Sequence, residues 1–166
     1  MKKFDVESQA VIMCGISGSG KTYYARQLEK EGFSRLSTDV LIWEKIGDKL
    51  SSLSKEEQKR LFSECREQVS KQLVFHLKSG RKVVVDATHC KRSVRDDIRN
   101  ICSQFGVTPV FVYLNADKEV LWDRLSKRKG AGPDDLIVTR EELSDYWLGF
   151  ERPQDDESDF IILKQN

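Results

Sequence analysis

Three short stretches of this chain are almost free of polar residues: Ala10-Val-Ile-Met-Cys14, Val83-Val-Val85 and Val110-Phe-Val-Tyr-Leu114. Runs of this length and composition predict strands buried on both faces, as in a parallel sheet. Two further strands are predicted, one alternating over residues 33–37 after Gly32 and one over residues 159–164. Between these runs the apolar residues recur at helical spacing. Helices are predicted over residues 23–30, from about Asp39 through Ile46, over 92–105 and over 117–128. The longest opens on the capping box Ser54-Lys-Glu-Glu57 and carries the stripe Leu61, Cys65, Val69, Leu73 and Leu77 before Gly80 ends it. A second capping box, Thr139-Arg-Glu-Glu142, starts a helix that runs through Gly149, and the glycine- and proline-bearing segment 129–135 before it reads as a loop.

Strands alternating with helices predict a three-layer α/β fold: a mostly parallel sheet of about five strands, covered by helices on both faces. In open sheets of this kind ligands lie at the carboxyl ends of the strands. Residues 1–166 read as one domain, with no repeat, linker or low-complexity tract. Basic and acidic residues nearly balance, 28 against 27, so a site for a polyanion must be local rather than spread over the surface. Cys14, Cys65, Cys90 and Cys102 show neither C-x-x-C pairing nor zinc spacing. With no signal peptide or membrane-length apolar stretch, free thiols and a cytoplasmic location are expected.

Candidate chemistry centres on Gly15-Ile-Ser17-Gly18-Ser19-Gly20-Lys21-Thr22, which matches G-x-x-x-x-G-K-[ST] and sits between a predicted strand and a predicted helix. Glycines allow successive backbone N–H groups to curl round a polyphosphate, and the following helix points its positive end at the same anion. Lys21 is expected on the β- and γ-phosphates of ATP, and the Thr22 hydroxyl on Mg²⁺. Asp39, just past a strand, is read either as a helix N-cap or as a general base for an acceptor hydroxyl. Asp86 ends a very apolar strand, where a carboxylate needs a partner, and Mg²⁺ or its water is the expected one. Arg124 and Arg128 are four residues apart on a predicted helix. Beside Gly130 and Gly132 they read as a lid that neutralises charge on a transferring phosphoryl group.

These motifs, together with Asp86-Ala-Thr-His89, Asp123-Arg-Leu-Ser-Lys-Arg128 and Phe150-Glu-Arg-Pro153, resemble the small P-loop kinases. The resemblance is to the 5′-kinase domains of phage and bacterial polynucleotide kinases and their stand-alone bacterial relatives, and it spans nearly the whole chain. It implies the P-loop NTPase fold, Asp39 as general base, Arg128 as lid arginine, Arg124 on the nucleotide side and Arg95 near the acceptor. In polynucleotide kinases an arginine about three residues after the base grips an acceptor phosphate; here that position is Ile42. His89, also near the expected crevice, is a candidate acceptor contact. The implied partners are ATP and a hydroxyl-bearing small molecule, nucleoside or nucleic-acid 5′ end, with no membrane and no evident protein partner. The alternative is a nucleotide-binding switch or ATPase without an acceptor; a GTPase is disfavoured because no Asn-Lys-x-Asp motif occurs.

Overall fold

A computed structural model describes residues 8–165. Five strands, β1 (Ala10–Cys14), β2 (Ser34–Ser37), β3 (Val83–Asp86), β4 (Val110–Ala116) and β5 (Phe160–Gln165), form one sheet in the order β2-β3-β1-β4-β5. Every pairing is parallel. Six helices connect them: α1 (Lys21–Lys30), α2 (Thr38–Ile46), α3 (Lys55–Lys78), α4 (Arg92–Ser103), α5 (Lys118–Leu125) and α6 (Arg140–Gly149). Residues 1–7 and 166 of the expected domain lie outside the described range.

The period-2 geometry of β1 explains the layering. Ala10 and Ile12 face the α3 stripe together with Val83, Val85, Ile98 and Cys102. Val11 and Met13 face the other way, onto Ala25 and Leu28 of α1 with Val84 and Val112. A third cluster joins the end of β1 to α5 and α6 through Cys14, Tyr113, Leu121, Leu125 and Leu143. Both expected capping boxes form, Ser54 with Glu57 and Thr139 with Glu142. No described helix is long and apolar enough to cross a membrane.

The expected lid differs in two respects. α5 ends at Leu125 rather than Arg128, because Arg128 N–H turns back to Leu125 O at 3.1 Å and closes a tight turn. Arg124 and Arg128 therefore do not share a helical face; Arg128 belongs to the loop. Of the two expected hinge glycines only Gly130 has left-handed backbone (φ +70°), while Gly132 is extended.

The acidic run 155–159 is a structural clasp. Arg92, Arg95 and Arg99 recur along α4 and pair with Asp156, Glu157 and Asp159 respectively. Arg95 and Glu157 are both fully buried and joined at 2.7 Å. Burial alone would raise the Glu157 carboxyl, but hydrogen bonds from Arg95 and Arg99 outweigh it and hold it at about 2. This contribution to stability is complete above the ordinary carboxyl value near 4.5 and is lost as pH falls towards about 2. Glu157→Gln leaves Arg95 buried without its counter-ion and is expected to cost about 3–5 kcal/mol. Urea unfolding at pH 7 measures this, and the deficit relative to wild type should shrink as the pH approaches 2.

Candidate active site

The chain leaves β1 at Cys14 and turns at once through Gly15 (φ +147°), whose N–H donates to Thr88 O at 3.1 Å after β3. A side chain does not fit there: a Cβ would lie 2.7 Å from Ser19 Oγ and 2.9 Å from the Leu114 carbonyl. Gly18 packs somewhat less tightly on α5, where a Cβ would lie 3.0 Å from Leu125 Cγ and 3.2 Å from Leu121 O. Gly20 is the N-cap of α1 and brings no side-chain acceptor, so the first turn of α1 offers its N–H groups towards the loop. Ser17 stays partly exposed on the loop, whereas Ser19 is buried and its Oγ has no hydrogen-bond partner. Buried orphan hydroxyls are rare, and one inside an anion-shaped loop fits a bound phosphate.

Lys21 is buried, and its Nζ reaches back across the loop to Ile16 O at 3.1 Å. Burial lowers its pKa, opposed by the nearby carboxylates of Asp86 and Asp39. The loop therefore presents a cation whose hydrogen-bond partner, among the described residues, is one carbonyl. Gly15→Ala is expected to weaken nucleotide binding by about ten- to hundred-fold, since backbone strain of about 1–3 kcal/mol falls on the cradle. Calorimetry checks this.

Asp39 sits in the first turn of α2, but the capping oxygen is that of Ser37, which accepts from Val40 N–H at 3.4 Å. The N-cap reading of Asp39 is thereby corrected: Ser37 performs that task. Among the described residues no hydrogen bond or ion pair engages the Asp39 carboxylate, which keeps some exposure to solvent. Surrounding protein pushes its pKa up to about 6; Lys21 and Arg128 pull it down and Asp86 and Asp134 push it further up. The loop lysine, the β3 carboxylate and the Arg128 loop thus all bear electrostatically on this one carboxyl group.

Asp86, 4% exposed at the end of β3, has a partner that sequence reasoning missed. Arg35 of β2 donates to its Oδ2 through Nη2 at 2.7 Å and Nε at 3.0 Å. The signal was a charged residue within a strand whose register lays Ser37 beside Asp86. Asp86 Oδ1 and the Thr22 hydroxyl have no hydrogen bond among the described residues. Two hard oxygen donors beside a phosphate loop suit Mg²⁺, which takes only one or two protein ligands and completes its octahedron with water and phosphate. No group of three or more ligating side chains occurs among the described residues.

The remaining candidates divide. Arg124 Nη1 donates to Gly18 O at 3.2 Å, buttressing the phosphate loop from α5. Arg128 Nη1 donates to Leu136 O at 3.0 Å across its own loop, and its charge is felt at both Lys21 and Asp39. His89 is not an open acceptor contact. It is buried at φ +48°, its Nδ1 lies 2.7 Å from Met13 O, and burial lowers its pKa to about 4. It is thus a neutral ring that donates from Nδ1 and ties the end of β3 under β1. Arg95 is likewise not at an acceptor surface: its guanidinium is spent on Glu157, Glu151 O and His89 O. Both lie near the crevice in sequence but beneath it in space.

A phosphate loop between β1 and α1 of an all-parallel sheet, with Asp86 one strand away, defines the P-loop NTPase fold. The chain belongs to the AAA_33 family, whose model, described as an AAA domain, matches residues 11–153. Among solved structures it is similar to a sugar kinase from Janibacter sp. HTCC2649 (22% identity, 95% of this chain and 85% of that one, TM-score 0.70). It is also similar to Chaetomium thermophilum Kti12 in complex with ADP-AlF3 (16% identity, 93% and 88%, TM-score 0.70). A chain of the Pnkp1/Rnl/Hen1 RNA repair complex matches 90% of this chain over 46% of its own length (20% identity, TM-score 0.67).

Proposed function

We propose that this protein is an ATP- and Mg²⁺-dependent kinase that moves the γ-phosphoryl group to a hydroxyl acceptor. The observation that carries the reading is Asp39: a carboxyl relieved of capping by Ser37, with a pKa of about 6, within the fields of Lys21 and Arg128. A switch or simple ATPase has no need of a near-neutral base at that point. In this reading the loop N–H groups, Ser17, Ser19 and Lys21 hold the donor phosphates. Arg124 braces the loop, Asp39 takes the acceptor proton and Arg128 neutralises equatorial charge on the group in flight. Thr22 and Asp86 would hold Mg²⁺, which when bound screens the phosphate oxygens and aligns them.

For the acceptor we favour an uncharged hydroxyl compound or a nucleoside. Ile42, where an anion-gripping arginine would stand, points into the core and is 1% exposed. Tyr146 of α6 adds a buried hydroxyl without a partner, within the field of Asp39. A small polyol can satisfy such a group; a phosphate gains no cation from it. The test is γ-labelled ATP with Mg²⁺ offered to a cytosolic metabolite extract and to 5′-hydroxyl oligonucleotides. Label on a metabolite supports the proposal, label on the oligonucleotide moves the acceptor to a nucleic-acid end, and free phosphate alone overturns the kinase reading in favour of an ATPase. Acceptor binding that weakens steeply with salt would likewise argue for a nucleic-acid end.

A further inference from the structure

The 3-10 turn Pro133–Asp135 in the Arg128 loop carries two adjacent aspartates with different tasks. Asp135 folds the loop on itself, its Oδ2 accepting from Lys129 N–H and Ala131 N–H, both at 3.0 Å. Asp134 reaches outward. Its Oδ1 accepts from Arg35 Nη2 at 2.6 Å and its Oδ2 from Arg26 Nε at 2.9 Å, with Arg26 Nη2 also in contact. Arg35, nearly buried, thus lies between two carboxylates, Asp134 from the loop and Asp86 from the sheet. Arg26 stands one turn after Thr22 on α1 and is largely exposed. The loop is therefore tied together internally; its C-terminal side is anchored by buried Leu136 and Val138 and by Ser51 Oγ on Ile137 O, and the turn itself is fastened to α1 and β2 by the Asp134 side chain. At its far end Arg128 is tied back to Leu136 O, beside that fastening.

We propose that Asp134 is a positioning residue: by clamping between Arg26 and Arg35 it holds Arg128 over the phosphate loop and couples that loop to Asp86 through one shared guanidinium. The role, though not the clamp itself, rests on the phosphoryl-transfer reading above. The two halves of the clamp differ in strength. The Arg26 half is exposed and worth little, whereas the Arg35 half is desolvated and breaking it leaves Arg35 with Asp86 alone.

The test uses Asp134→Asn in the full chain, read by hydrogen exchange over residues 128–138 and by calorimetry with ADP plus aluminium fluoride against ADP alone. The fluoride complex carries the charge that a lid arginine neutralises, and it needs no acceptor. Exchange across the loop is expected to quicken at least about tenfold with α3 unchanged. Affinity for the fluoride complex should fall at least about tenfold, while that for ADP alone moves less than about twofold. Arg26→Gln, a surface change that leaves the fold in place, should give the same pattern at about threefold. A loosened loop with undiminished fluoride-complex affinity would reduce Asp134 to a structural brace and overturn the proposal, as would an unmoved loop in both variants. Failure to find any phosphorylated acceptor would count against the kinase reading alone, since neither readout here involves one.

Discussion

Arg128→Ala is expected to lower phosphoryl transfer by about 10³- to 10⁵-fold, the range seen when an arginine that neutralises the transferring group is removed. ATP affinity should change little, because in the proposed mechanism Lys21 and the loop backbone hold the ground-state phosphates. Steady-state transfer combined with calorimetry separates the two. The prediction follows from the charges about this side chain: Arg128 acts electrostatically on both Lys21 and Asp39, the residues proposed for donor and acceptor. Equal loss of ATP affinity and turnover would assign Arg128 to nucleotide binding instead.

Asp39→Asn should reduce transfer by about 10²- to 10⁴-fold, the usual worth of a general base, and leave ATP binding intact. The pH profile gives a sharper check. Asp39 must be ionised to accept a proton, and its pKa is raised to about 6, so wild-type transfer should fall as pH drops through about 6. The variant's residual activity should lack that limb. Stability should move the other way. A carboxyl whose pKa rises on folding weakens the fold at all pH above its ordinary value, so Asp39→Asn is expected to raise the melting temperature at pH 7. Full transfer activity in the variant would sink the base assignment.

The strands and helices were legible from length and spacing. β1 is a continuous apolar run of strand length closed by a glycine loop, and α3 carries five apolar residues at helical spacing. The phosphate loop was legible because its chemistry is local to eight consecutive residues. What escaped was made by distance in sequence. Arg35 meets Asp134 across 99 positions and Arg95 meets Glu157 across 62, and nothing in either neighbourhood announces the pairing. The same cause misplaced Arg95 and His89. Burial at a strand end or on the inner face of α4 turned both side chains into structural ties. Asp39 stood between two readings until the Ser37 hydroxyl settled which residue caps α2.

The strand order also has a consequence for how the chain must assemble. The central strand β1 is made first, yet its hydrogen-bonding neighbours arrive much later: Ala10 pairs with Val83, and Val11 with Val110. Until then a ribosome-bound chain holds an apolar strand and its glycine loop with both edges open. Closing loops of that size before any ladder rewards them makes parallel sheets slow to form and prone to wrong association. The longest helix, α3, can form early and cover one face of that strand with Leu61, Val69 and Leu73 while the second neighbour is still being synthesised. The nucleotide cradle is thus encoded near the start of the chain but acquires its shape among the last events of folding.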